Sequence, residues 1–258
     1  MTTRSTPVVR FDGRVSEATT DVVAVEEPME IRIRSVPIAV LMRTPGADRD
    51  LIRGFAITEG MVVGPRELSE PIDLGEGRWE LGLADGVEID PEQFRRNLYA
   101  SSSCGVCGKA SIDAVLVSAG TLPTGPRVSH HLLERLPGMM LDHQEGFAST
   151  GGLHAAALFD AAGHLRIVRE DIGRHNAVDK VVGAVEPWPP GESVLVVSGR
   201  VSFEVAQKAA VAGIPIVCGV SAASSLAIDL ASRTGLTVVG FVRGDRCVVY
   251  TGHDRIEP

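Results

Sequence analysis

Four cysteines in 258 residues are too few for a disulfide framework, and no secretory h-region precedes them in the polar opening Met1-Thr2-Thr3-Arg4-Ser5-Thr6-Pro7. No apolar run approaches the roughly 18 residues that a membrane-spanning helix needs. These absences lead us to expect a protein of the reducing cytoplasm, away from the membrane. Excess positive charge is lacking too. The 33 acidic residues outnumber the 25 basic ones and leave a net charge of −8, so there is no general basic surface for nucleic acid. Lysine is scarce as well: among those 25 basic residues only Lys109, Lys180 and Lys208 are lysines. All three fall in polar, motif-like segments, and lysine is a compact point charge whose pKa shifts on burial.

Against this scarcity, two cysteines stand close together in Ser101-Ser102-Ser103-Cys104-Gly105-Val106-Cys107-Gly108-Lys109. A helix is expected immediately afterwards, over 109–118. Unpaired N–H groups and partial positive charge at a helix start favour thiolate over thiol, and Lys109 adds a full charge. In such surroundings a cysteine pKa falls from about 8.5 to between about 3.5 and 7.5. A structural zinc site needs four ligands, and neither a second CxxC nor an HxxxH pair is present. A zinc deaminase needs His-x-Glu before Pro-Cys-x-x-Cys; here His154-Ala155-Ala156 lacks the glutamate and follows the cysteines, and Ser103 replaces the proline. A thioredoxin-like dithiol lacks a βαβ unit leading into it. The reactive-thiol reading is favoured, with no metal site expected. Cys218 and Cys247 sit in strand-like runs and read as small buried hydrophobes.

The chain divides near residue 95 on its patterning. Residues 1–95 are expected to form a small α+β part: a frayed polar lead-in over 1–24, strands over 29–34 and 37–43, a helix over 48–59, and a hairpin over 79–89 turning at Ala84-Asp85-Gly86. Residues 96–258 are expected to form an α/β part. In it come a helix over 129–136 closed by Pro137-Gly138, a hairpin over 153–168, and then helices over 172–185, 202–212 and 222–232. These helices alternate with strands over 193–197, 214–218, 236–241 and 247–250. This alternation predicts a mixed, mostly parallel sheet with helices on both faces.

Three further segments carry polar chemistry. Arg169-Glu170-Asp171-Ile172-Gly173-Arg174-His175-Asn176-Ala177-Val178-Asp179-Lys180 is the densest charged stretch and runs from a strand into a helix, where open α/β sheets gather ligands. A solvated helix face is the ordinary explanation, but Gly173 in the first turn and His175-Asn176 weigh for a site, with Arg174 and His175 as candidates. Glycines lead into a strand at Thr150-Gly151-Gly152-Leu153-His154, and Ser198-Gly199 opens another strand-to-helix turn able to offer N–H groups to an anion. Phe241-Val242-Arg243-Gly244-Asp245-Arg246 reads either as a plain hairpin turn or as a nucleotide clamp, in which Arg243 and Arg246 take phosphates and Asp245 accepts from a guanine edge.

In combination these segments resemble the formate dehydrogenase accessory sulfurtransferase family. The matching pieces are residues 101–112, 150–154, 169–180, 198–208 and 241–250, with looser matches at 42–46 and 54–60. The resemblance implies a cytidine deaminase-like fold without its zinc chemistry. It implies a cytoplasmic protein that takes sulfane sulfur from a cysteine desulfurase, with Cys104 and Cys107 as the working thiols. That sulfur would go to the molybdenum bis(molybdopterin guanine dinucleotide) cofactor, bound as substrate, before formate dehydrogenase receives the cofactor. It further implies a homodimer that holds the cofactor's guanine ends through Phe241 to Arg246, with His154, Arg174, His175 and Ser198 nearby. A dithiol oxidoreductase and a non-catalytic cofactor chaperone remain as alternatives.

Overall fold

The fold is given by a computed structural model that describes residues 1–98 and 120–258. Cys104, Cys107, Lys109 and the helix expected over 109–118 lie outside the described residues. The chain opens with a hairpin, β1 (Thr3–Asp12) and β2 (Val15–Ala24), paired in register from Thr3↔Ala24 to Asp12↔Val15. This corrects the expectation of a frayed lead-in. Asp12-Gly13, with Gly13 at φ 59°, is a hairpin-turn signal. Most side chains of both strands are exposed, so no apolar face marks them in the sequence.

Strands β3 (Glu27–Ile33), β4 (Val36–Arg43), β5 (Ile72–Gly75) and β6 (Arg78–Glu80) form a sheet in the order β4-β3-β6-β5. Alternation along β3 buries Met29, Ile31 and Ile33 on one face. The expected hairpin over 79–89 is absent. Trp79 pairs with Ile31 of β3 and Asp73 of β5, so β6 has partners on both sides and the true turn is Gly75-Glu76-Gly77. Helix α1 (Asp48–Thr58) buries Leu51, Ile52, Phe55 and Ala56, as its spacing predicts, and α2 (Pro91–Leu98) follows the sheet.

After β7 (Val128–Ser129), helix α3 (His130–Leu141) is capped by the Ser129 hydroxyl, which accepts from the Leu132 N–H at 3.2 Å. The helix does not stop at Pro137 as expected. An interior proline costs about 3 kcal/mol, but α3 buries Leu133, Leu136 and Met140, and tertiary packing of one face decides helix length. A short helix, α4 (Glu145–Thr150), was not foreseen. The main sheet comprises β8 (His154–Asp160), β9 (Leu165–Asp171), β10 (Ser193–Val197), β11 (Ile216–Gly219), β12 (Thr237–Arg243) and β13 (Arg246–Thr251). Their order is β13-β12-β11-β10-β8-β9. Pairing is parallel across β10-β11-β12 and antiparallel at both flanks, where short hairpin turns join neighbours. Helices α5 (Arg174–Ala184), α6 (Phe203–Val211) and α7 (Ser225–Thr234) lie between strands, and β14 (Ile256–Glu257) returns to pair with β7.

Strand alternation splits the core in two. Ala156, Leu158, Leu195, Val217 and Val238 face α5, α6 and α7, whereas Ala157, Phe159, Val194, Val196, Ile216, Cys218 and Val239 face α3. The α/β class with helices on both faces therefore stands, but the sheet is not mostly parallel as expected: two pairings are parallel and three antiparallel, because hairpins add β9 to β8 and β13 to β12 and β8 runs against β10. The first of these cores continues without a break into the N-terminal sheet and α1. Contact between α1 and α5 depends on two glycines. A Cβ on Gly54 would sit 1.8 Å from the Asp179 carbonyl oxygen, and one on Gly183 would sit 1.9 Å from that of Asp50. Only hydrogen at both positions lets the helices approach so closely.

Candidate functional site

A cavity of about 860 Å³ opens at the carboxyl ends of β10, β11 and β12, the edge at which open α/β sheets bind ligands. Because β8 runs antiparallel to β10, its first residue, His154, reaches the same edge. Ser198 follows β10, Val220 follows β11, and Val242, Arg243 and Gly244 end β12; all of them line the cavity with His154. Candidates far apart in sequence thus converge on one space.

His154 is half-buried beside Ser198. The Ser198 Oγ accepts the Ala155 N–H at 3.0 Å and lies 3.4 Å from His154 Nδ1. With one oxygen lone pair engaged, the hydroxyl keeps its proton and a second lone pair, so it can donate to Nδ1 or accept from it. Burial, and then the charges of Arg174 and His175, push the His154 pKa below its ordinary 6.5 against the pull of Asp171. A neutral imidazole still offers one N–H donor at neutral pH, suited to an anionic or sulfur-bearing ligand.

Arg174 and His175 begin α5 and do not line the cavity, although both charges reach His154. His175 Nε2 lies 2.9 Å from Glu204 Oε2, joining the first turns of α5 and α6. Phe241, Asp245 and Arg246 adjoin Val242, Arg243 and Gly244 in the chain but do not line the cavity themselves. Arg243 and Arg246 face each other across the two-residue turn Gly244-Asp245, and both are exposed, so this segment is a hairpin turn that also borders the cavity. Phe241 has φ 52°, in the left-handed region, where the pairing of β12 with β13 slips. Its N–H donates to the Ser221 carbonyl at 2.9 Å. A bulky residue held there stores about 1–3 kcal/mol of backbone strain.

The Arg169–Lys180 stretch is neither a solvated face nor a set of free ligands: most of its charges are bound internally. Asp171 Oδ2 accepts from the Thr44 N–H at 3.1 Å and pairs with Lys180 at 2.7 Å, while its Oδ1 accepts from the Gly173 N–H and the Asn176 amide. Lys180 also donates to the carbonyls of Thr44 and Glu170, so its three N–H groups each have an acceptor. Glu170 accepts the N–H groups of Gly146 and Phe147 and so caps α4. Asp179 and Lys208 form a second buried pair at 2.9 Å, joined by Thr58 and Glu59 of the N-terminal part. Burial works against the Lys208 charge, but the Asp179 and Glu59 carboxylates outweigh it and raise its pKa. Two of the three lysines are therefore structural.

The sequence reading missed the cavity's opposite wall. Glu134, Arg135 and Met140 of α3 and Phe147 of α4 line it. Reading Pro137-Gly138 as a helix stop hid Met140; Glu134 and Arg135 lie within the expected helix, but nothing in its spacing places that helix over the sheet edge, and α4 is too short for periodicity to reveal. Burial raises the Cys218 and Cys247 thiols above their ordinary pKa, consistent with packing roles. No helix among the described residues is long and apolar enough to cross a membrane.

Known proteins resemble this chain in sequence and in fold. The chain is 49% identical over 265 residues to the sulfur carrier protein FdhD of Streptomyces coelicolor, covering 96% of this chain and 94% of that one. It is 47% identical over 253 residues to the sulfur carrier protein FdhD of Mycobacterium tuberculosis, covering 92% of each. A crystal structure from Desulfotalea psychrophila, assigned as a formate dehydrogenase accessory protein, matches the fold over 100% of both chains with TM-score 0.81 at 23% identity. The sequence model of the FdhD/NarQ family matches residues 24–257. With its core, cavity and both buried ion pairs inside that span, this chain belongs to the FdhD/NarQ family.

Proposed function

We propose that this protein is a cytoplasmic sulfur carrier serving formate dehydrogenase, with a persulfide on Cys104 as its working intermediate. The observation that carries the reading is near-full-length identity of 45–49% to proteins named sulfur carrier protein FdhD. The Cys104-x-x-Cys107 motif supports the sulfur step, and the cavity supports ligand binding.

In this reading the Cys104 thiolate attacks the outer sulfur of a persulfide on a cysteine desulfurase. One S–S bond forms as another breaks, the desulfurase thiolate leaves, and there is no net oxidation. The terminal sulfur of a persulfide is more acidic than a thiol and is a good nucleophile at neutral pH. Cys107 either receives that sulfur or attacks the persulfide, releasing hydrosulfide as the Cys104–Cys107 disulfide forms. The acceptor substrate is the molybdenum bis(molybdopterin guanine dinucleotide) cofactor. Arg243 and Arg246 would take a diphosphate, each charged hydrogen bond being worth about 1.5–3 kcal/mol, and Asp245 would accept from guanine. His154, held neutral, would offer its imidazole N–H within the cavity. A homodimer would present two such segments to the two guanine ends of one cofactor.

The test is mass spectrometry after incubation with a cysteine desulfurase and cysteine. The wild type should gain one sulfur atom and Cys104→Ala none, with the variant's far-UV spectrum unchanged and formate dehydrogenase left inactive. Full sulfur gain and full enzyme activity with Cys104→Ala would overturn the assignment.

A further inference from the structure

At the start of α3, His130, His131 and Glu134 bring one ligand atom each to within 4.8 Å of one another. We propose that this cluster is a binding site for a divalent first-row transition cation of the zinc, cobalt and nickel class, independent of the sulfur chemistry above. Two imidazoles and one carboxylate are the donor set such ions prefer. The spacing is suitable: His130 and Glu134 are four residues apart and His131 and Glu134 three apart, so both pairs meet on one side of the helix.

Three features show preparation for a cation. First, His130 Nδ1 lies 3.2 Å from the Glu257 carbonyl oxygen. That carbonyl can only accept, so Nδ1 carries the proton and Nε2 keeps its lone pair, the arrangement found in metal-bound histidines. Second, the carbonyl is itself held in place, because Glu257 pairs with Ser129 between β14 and β7, one residue before the cluster. Third, the Glu134 side chain is only 11% exposed, while its carboxylate lies 3.5 Å from His131 Nδ1. A carboxylate that deep is confined to few rotamers and faces the one partner that can move, His131, whose side chain is 75% exposed.

Ligands bound at about 2.1 Å lie at most about 4.2 Å apart, so a small rotation of His131 completes the set. The positive end of α3 opposes a cation, and the Glu134 carboxylate offsets it. Three protein ligands leave coordination positions to solvent, so the site is open and exchangeable. It differs from the closed four-ligand zinc site that the sequence excludes. Glu134 also lines the large cavity, so the ion would stand at its α3 wall.

Cobalt(II) titration followed by visible absorption tests the site, using the full chain with Cys104→Ala, Cys107→Ala and Cys247→Ala, which leaves only the fully buried thiol of Cys218. One cobalt per chain should bind, with the d–d bands of nitrogen and oxygen ligation. His131→Ala and Glu134→Gln should each weaken binding at least tenfold. His131→Ala in the otherwise native chain should leave sulfur loading of Cys104 unchanged, which separates this proposal from the sulfur-carrier reading. Absence of cobalt binding at millimolar concentration, or unaltered affinity in both variants, would overturn it.

Discussion

Individual side chains around the cavity combine into a site whose charge is set by burial as much as by neighbours. His154 has a folded-state pKa below its ordinary 6.5, with burial the larger cause and Arg174 and His175 the smaller ones. The unfolded chain therefore binds a proton that the folded one does not, and stability rises with pH in that window. The contribution of His154 is complete above about pH 6.5 and is lost as pH falls toward the folded value. An imidazole NMR titration should place His154 below the exposed histidines, and Arg174→Gln should restore only part of the difference. A midpoint at or above the ordinary value would refute the burial account. The arginines of the β12–β13 turn make a separate test. Calorimetric titration with GDP should show binding to the wild type and a loss of at least tenfold in the Arg243→Ala, Arg246→Ala double variant, while sulfur loading persists. Equal affinities would place the nucleotide elsewhere. These residues could be picked out from sequence because each stands where a strand meets a turn. Glu134 and Phe147 could not, since only tertiary packing brings α3 and α4 over the sheet edge.

At the scale of elements, the α1–α5 contact is the most exacting join among the described residues. Ala at Gly54 or Gly183 puts a methyl group inside the van der Waals radius of a backbone oxygen on the facing helix. Each substitution should cost about 1–3 kcal/mol, seen as a lower urea midpoint with little change in slope. The double variant should cost less than the sum, because one separation of the helices relieves both clashes. Additive losses would show that the two glycines act independently. Both positions read in sequence only as weak spots in helices, since propensity reports what a glycine costs and not what approaches it. Other elements were legible for the opposite reason: α1 buries a face that its own spacing announces, and β10 is an apolar, β-branched run buried on both faces. The exposed hairpin β1–β2 and the proline-bearing α3 depart from that rule, one having no buried face to announce and the other overriding its breaker by packing.

Over the whole molecule, the N-terminal sheet and α1 share a continuous core with α5 and α6, and two lysines fasten the seam. Lys208 should be hard to replace: Lys208→Ala leaves the Asp179 carboxylate buried without its cation and should cost about 3–5 kcal/mol in denaturant unfolding. Replacing the pair together, as Lys208→Met with Asp179→Leu, should recover much of that loss. A double variant no more stable than Lys208→Ala would assign the cost to packing around the stem instead of to charge. The scarcity of lysine in the sequence pointed to these positions, but not to their N-terminal partners: Glu59 and Thr58 lie 149 and 150 residues from Lys208, and Thr44 lies 136 from Lys180. The seam also bears on how the chain can be recombined. A crossover with a relative placed between residues 60 and 170 inherits Thr44, Thr58 and Glu59 from one parent and Asp171, Asp179, Lys180 and Lys208 from the other. The facing glycines are divided between the parents in the same way. Such hybrids will fold only where both parents use the same combination, so this interface determines which segments of the gene can be exchanged.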